Sequence, residues 1–274
     1  MNWIVVPNSK KQFDILLKKD IEGLVIGIND LSINTNFSID IKEIDEYVKL
    51  IKDNNKKVYI YLNMMYHNNK LDMLEKIMNN NSIDYIFFYD LAVLNIAKKL
   101  GITNKLIIAQ NHMNVSIYSN NYYYDKGIKQ SLLSSELQLK EILEISALSE
   151  INIMVYAYGK REIFNSKRKL LFSYFKHFQL PSKKNKYLIK NTDNYYLIKE
   201  DKNGTIIMDC HILDLQEELS ILNNNGIKNI LLDSTDIDED KFLNTLDDYI
   251  DNKLRDKLRY KGFLYQSVKV KVMP

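Results

Sequence analysis

The sequence predicts an α/β protein: a (β/α)8, TIM-like barrel with an insertion between its seventh and eighth strands. Three observations lead there. Eight short apolar runs recur along the chain, most of them separated by segments with helical apolar spacing. The rhythm halts after the seventh run, across residues 160–212, and then resumes. No Gly-x-Gly-x-x-Gly follows the first run and no phosphate loop occurs. A dinucleotide or P-loop site is therefore unsupported, although a doubly wound open sheet stays open as the alternative arrangement.

The elements follow in order. Residues 3–6 (Trp-Ile-Val-Val) form a first strand ended by Pro7, and Phe13, Leu16 and Leu17 give residues 12–19 a helical stripe. Residues 23–28 are a second buried strand, 29–36 a polar loop, and 39–54 a helix with Ile41, Ile44, Tyr47, Val48 and Ile51 on one side. The third strand is 58–62 and its helix 71–78; the fourth is 83–89 and its helix 91–100, stopped by Gly101. Residues 105–109 are the fifth strand, and 115–124 is Tyr-rich and carries no clear period. The sixth strand is 127–133, with a helix over 137–148 that Ser134 or Ser135 can cap. Residues 151–156 are the seventh strand. In the insertion, 163–178 is expected to be partly helical, and 186–208 extended with turns at 192–194 and 201–204. A helix over 213–222, an eighth strand over 227–232, a helix over 242–258 and an extended tail over 262–273 complete the reading.

The 274 residues are 46% hydrophobic and 27% charged, which suits one α/β domain over 1–274 rather than a membrane or disordered protein. No apolar run approaches the roughly 20 residues that span a bilayer, so no membrane association is expected. The N-terminus lacks the pattern of a signal peptide, and a single cysteine, Cys210, excludes an internal disulfide and a cysteine-only metal cluster within one chain. A cytoplasmic location is the natural expectation. Net charge is only +3, but ten Lys or Arg lie between Lys160 and Lys190 with Glu162 the sole acid, and aromatics are interleaved. That stretch suits phosphate contact and base stacking, or is a solvated face over an aromatic core.

In a parallel barrel, chemistry gathers at the C-terminal strand ends. Asn63, Asp90, Gln110, Asn114, Glu136 and Asp233 all fall there, making a polar mouth suited to a polar small molecule or a flipped base. Glu136 is the candidate acid/base or orienting carboxylate; its alternative role is to favour a helix N-terminus. His67 and His112 follow strands by a few residues and are the candidate partners, or are loop histidines bonded to backbone. Arg161 and the basic insertion are candidate phosphate contacts. No metal-ligand spacing is present, so no metal is expected.

Four segments also carry a resemblance. Lys57-Val-Tyr-Ile-Tyr-Leu-Asn63, Ile83-Asp-Tyr-Ile-Phe-Phe-Tyr-Asp90, Ala109-Gln-Asn-His-Met-Asn114 and Leu133-Ser-Ser-Glu-Leu-Gln-Leu-Lys-Glu-Ile142 occur in that order. They resemble the collagenase-like peptidase family U32, whose last motif reads Leu-(Ser/Ala)-Arg-Glu-Leu-Ser-Leu-x-Glu-Ile; Gly262-Phe-Leu-Tyr265 is similar to the Gly-Phe ending common there. The chain looks like a short, barrel-only member. It departs where the family has Glu-x-Phe-x-His-Gly and two cysteines around a glycine: here Met154 and Tyr158 replace the Glu and His, Glu162 and Lys169 the cysteines, Lys167 the glycine, and Ser135 the motif arginine. An iron–sulfur cluster needs thiolates this chain lacks, so no cofactor is expected.

The resemblance implies divided functions. Some relatives are credited with proteolysis, others with hydroxylation of the tRNA wobble uridine or of ubiquinone. The expectation is a component of tRNA wobble-uridine hydroxylation, binding tRNA through residues 160–190 beside a longer, cysteine-bearing relative. The alternatives are a collagenase-like peptidase and a non-catalytic barrel that binds a paralogue. No His-Glu-x-x-His or Gly-x-Ser-x-Gly is present, and Cys210, beside His211 at an expected strand-to-helix transition, reads as an ordinary part-buried thiol.

Overall fold

Eight parallel strands close on themselves in the computed structural model, which describes residues 1–110, 113–181, 184–191, 194–255 and 258–266. The first half of the wall is β1 (Asn2–Val6), α1 (Lys10–Leu16), β2 (Gly23–Ile28), a short β3 (Ser38–Ile39), α2 (Ile44–Asp53), β4 (Lys57–Leu62), α3 (Leu71–Met78), β5 (Tyr85–Phe88) and α4 (Leu91–Leu100). It continues through β6 (Leu106–Ile108), α5 (Ile117–Asp125), β7 (Gln130–Leu132), α6 (Leu139–Leu148) and β8 (Asn152–Ser166). The insertion holds α7 (Leu170–His177), β9 (Lys186–Asn191), β10 (Asn194–Asp201) and β11 (Gly204–Asp214). Then α8 (Leu219–Asn224), β12 (Asn229–Asp233) and α9 (Glu239–Ile250) finish the circuit. β12 pairs in parallel with both β1 and β8, so the sheet is a closed barrel and not an open one.

Strand alternation explains why these segments form a wall. In β4, Val58, Ile60 and Leu62 face the helices, while Tyr59 and Tyr61 face the barrel interior; β1, β5, β8 and β12 alternate in the same way. Each buried aliphatic side chain contributes about 1.5–3 kcal/mol. Inside, Tyr59 stacks on Tyr85 with ring centroids 4.9 Å apart, and Phe87 packs between Tyr59 and Tyr61. Gly23 makes room for this, since a Cβ there would meet the Tyr59 ring at 2.6 Å. Helix ends obey local chemistry: Asp90 accepts from the Ala92 amide to start α4, and Gly101 at φ 70° ends it.

Beyond the barrel, β8 runs on to Ser166 and pairs antiparallel with β11, which pairs with β10 and then β9. This four-stranded sheet with α7 is the expected insertion, placed between the seventh and eighth barrel strands.

Several boundaries differ from the sequence reading. The seventh strand does not stop at Tyr156, because β11 supplies a second partner beyond the barrel rim. Residues 213–214 are the end of β11, and only 219–224 are α-helical, after a 3-10 turn at Gln216–Glu218. The Tyr-rich segment is a helix, α5, capped by Ser116. Neither Ser134 nor Ser135 caps α6: it starts at Leu139, with the Glu141 side chain reaching back to the Gln138 amide (2.8 Å). α9 ends at Ile250 rather than 258. Residues 262–265 form a turn, and the rest of the expected tail from 267 lies outside the described residues. Cys210 sits within β11, not at a strand-to-helix transition.

Candidate functional site

At the C-terminal mouth the inward position of the last barrel strand is a carboxylate. Asp233 follows Leu231 on the inner face of β12, and the Thr235 amide donates to its Oδ1 (2.8 Å). Inward Tyr61 of β4 and Tyr156 of β8 stand at the same level, and all three line a cavity of about 60 Å³, room for a few atoms. Asn34, Asn63 and Ser135 add polar groups from the rim.

The roof of this cavity comes from β8. Opposite β12 its register skips a residue, Leu231 facing Tyr156 and Leu232 facing Tyr158. This bulge re-aims the strand from the wall over the mouth. Gly159 follows at φ 142°, where a Cβ would stand 2.1 Å from the Tyr156 hydroxyl and 2.8 Å from the Asp233 carbonyl oxygen. Only glycine allows that approach. The Tyr156 hydroxyl donates to the Lys160 carbonyl (3.0 Å), and Lys160, Arg161 and Glu162 then line the cavity from above.

The far edge of the insertion sheet returns to the barrel rim and makes a lid. Lys186 and Lys199, directly opposite each other on β9 and β10, both pair with Asp236 in the loop after β12. Lys199 also donates to Asn34 Oδ1 (3.2 Å), and Lys202 pairs with Asp30.

Burial pushes the Asp233 carboxyl up to about 6, against the lowering effect of Thr235 and the Lys199 charge. Burial also raises the Tyr61 and Tyr156 hydroxyls well above the usual tyrosine range, and the Asp233 charge adds to it. For Asp236 burial opposes ionisation, but Lys199, Lys186 and Asn36 outweigh it and hold the carboxyl well below its ordinary value. The site therefore combines a carboxyl that can keep or release a proton near neutrality with two neutral hydroxyls and a lysine. That set can bind a polar ligand and pass a proton to or from it. Among the described residues, no group of three or more His, Cys, Asp or Glu is placed to hold a metal ion.

The residues singled out from sequence fall into three groups. Asn63, Arg161 and Asp233 line the cavity. Asn63 also clamps the rim, accepting from the Ile33 amide (2.9 Å) and donating to its carbonyl (3.0 Å). Arg161 is 4% exposed, and its Nη2 donates to Asp209 (2.6 Å) and to the Tyr260 hydroxyl (2.9 Å), so Asp209 within the protein already meets its charge. A second group serves the scaffold: Asp90 caps α4 and accepts from the Tyr66 amide (2.9 Å), Gln110 donates to the Tyr89 carbonyl (2.9 Å), and Asn114 is buried against Ser131 and the Leu132 carbonyl (2.6 and 2.7 Å). The third lies at the surface: Glu136 is exposed one residue past cavity-lining Ser135, and His67 is exposed before a 3-10 turn at Asn68–Lys70. His112 lies outside the described residues. Tyr61 and Tyr156 were not singled out, and Lys160 entered only as one end of the basic stretch; inward parity at a strand's C-terminal end is the signal that marks the two tyrosines.

Comparison with known proteins follows the same outline. Residues 8–261 match peptidase family U32. The tRNA hydroxylation protein P2 of Bacillus subtilis is 27% identical over 241 residues, covering 84% of this chain and 78% of that protein. The tRNA hydroxylation protein P of Helicobacter pylori is 24% identical over 190 residues, 63% of this chain and 45% of that one. An uncharacterized protease of Methanocaldococcus jannaschii is 30% identical over 128 residues, 45% of this chain and 31% of that one. The chain thus spans less than half the length of the latter two.

Proposed function

Because the chain belongs to peptidase family U32, we propose that it is a component of tRNA hydroxylation, acting on the wobble uridine beside a longer, cysteine-bearing relative. One observation carries the reading: likeness to a Bacillus tRNA hydroxylation protein runs through 84% of this chain, barrel and insertion together. The lid supports it. Residues 163–192 hold eight Lys or Arg and no acid, and Phe164, Phe172, Tyr174 and Phe178 are exposed among them. Exposed rings beside cations suit stacking and phosphate contact. The reading puts the protein in the cytoplasm with its substrate; no helix among the described residues is long and apolar enough to cross a membrane.

The test is nucleoside analysis of tRNA from cells with and without the gene. Loss of hydroxylated wobble uridine on deletion, restored by the intact chain, is the expected result; an unchanged nucleoside profile overturns the reading. Proteolysis is the second reading, favoured by the shared family and by the archaeal protease likeness. Against it, burial pushes the Cys210 thiol up, away from the thiolate a nucleophile needs.

A further inference from the structure

We propose that the lid is latched over the cavity by ion pairs that an RNA phosphate backbone displaces, so that RNA binding at the lid opens the site; this rests on the tRNA reading above. The latch is an unusual charge arrangement. Lys186 and Lys199 are directly opposed residues of an antiparallel pair, where like charges repel. Asp236 sits between them, its side chain 6% exposed, and takes both ammonium groups. Two lysines share the one Asp236 carboxylate, and the Lys199 charge also reaches Asp233. Lys186, the outer partner, is 48% exposed.

The same strand faces a competitor. Lys186 belongs to the acid-free stretch of 163–192, whose field draws a polyanion to the lid. A phosphate that reaches Lys186 offers it the charge that Asp236 now supplies. Once Lys186 turns outward, the far edge of the lid is held by Lys199 and by the exposed Lys202–Asp30 pair. The exposed Lys202–Asp30 pair holds weakly, and the Lys199–Asp236 pair, with side chains 20% and 6% exposed, is the hold the polyanion must also loosen. The hinge for such a motion is already built: the β8 bulge and Gly159 are where the sheet leaves the barrel wall, directly beside Asp233 and Tyr156. Displacing the lid separates Lys160, Arg161 and Glu162 from the barrel side of the cavity and admits a ligand to Asp233.

Spin labels on the full chain test this, with Cys210→Ser removing the native thiol and Ser173→Cys on α7 and Lys11→Cys on α1 carrying the labels. The inter-label distance is read alone, with total tRNA, and with heparin, while binding is measured separately. A longer-distance population on adding either polyanion is expected. tRNA that binds and leaves the distance unchanged overturns the latch and spares the functional reading. Heparin that opens the lid while tRNA fails to bind keeps a polyanion latch and removes tRNA as its ligand. Binding by neither overturns both. Asp236→Asn gives an independent arm, since asparagine tolerates the left-handed φ of 59° at this position. It removes the internal competitor, so tRNA affinity rises about 5-fold and the open population appears without RNA. Unchanged or weaker tRNA binding by a folded Asp236→Asn protein contradicts the proposal.

Discussion

Asp233 is the residue whose chemistry most depends on its place. In solution it is an ordinary carboxyl; at the mouth it is 7% exposed and held near 6 by burial. The sign of its effect on stability follows. Between the unfolded value of 3.8 and about 6, the folded chain keeps a proton that the unfolded chain has released. Its stabilising effect is therefore present at low pH and lost as pH rises through that window, by at most about 3 kcal/mol. Asp233→Asn should match the wild type near pH 4 and exceed it in stability at pH 8. Urea denaturation at the two pH values checks this, and a mutant advantage that is the same at both would refute it. Asp236, lowered rather than raised, works the other way and loses its contribution as pH falls toward its folded value. At this scale the sequence was only half informative. Position after a strand located Asn63, Asp90, Gln110, Asn114 and Asp233, but a polar side chain there can face the cavity, cap a helix or bind a carbonyl. Asp90 caps α4 because it directly precedes Leu91, but its second bond, from the Tyr66 amide, is one that no spacing rule reveals.

Among the elements, β8 shows both what a sequence discloses and what it conceals. Its first half was legible as Ile153, Met154 and Val155, and the short runs bounded by Pro7 or Gly101 were equally plain. The second half was not, because Gly159 reads as a stop while it serves as a bend. Residues past it alternate weakly, having exchanged the two barrel neighbours β7 and β12 for the single strand β11. Gly159→Ala measures how tightly that bend is set. The new methyl meets the Tyr156 hydroxyl and the Asp233 carbonyl oxygen, and strain at a φ of 142° alone costs about 1–3 kcal/mol. Adding Tyr156→Phe should recover part of the loss, since it removes the hydroxyl and leaves the collisions with the ring Cζ and the Asp233 carbonyl oxygen, both at 2.8 Å. Chemical denaturation of the wild type and the two variants decides; full tolerance of the alanine would mean the strand leaves the barrel differently. Helix starts were less legible than helix bodies. α6 begins at Leu139, four residues beyond Ser135, with Gln138 at the cap position and the Glu141 side chain accepting from the Gln138 amide.

Across the whole molecule, barrel, lid and C-terminal segment meet at one buried cluster. Arg161 on β8 pairs with Asp209 on β11, the Tyr260 hydroxyl bonds to both, and the guanidinium lies over the Tyr260 and Phe263 rings at 5.5 and 4.6 Å. Removing one partner of such a pair leaves a buried charge alone and costs about 3–5 kcal/mol. Arg161→Met should therefore destabilise strongly, and Asp209→Leu added to it should restore most of the loss. A thermal melt of the single and double variants is the check; additive losses would show that the pair is not the cause. Closure into eight strands was legible, because counting repeats needs only local pattern. The cluster was not, because its members, Arg161 to Phe263, are separated by up to 102 residues and meet only after the lid folds back.

The stacked aromatic floor of the barrel has a consequence for traffic. With Tyr59, Tyr85 and Phe87 filling the interior below the cavity, the described residues bar passage down through the barrel, and a ligand reaches the chamber from the rim, where the lid lies. A molecule that arrives at the mouth therefore also leaves at the mouth, since the packed interior offers it no way through.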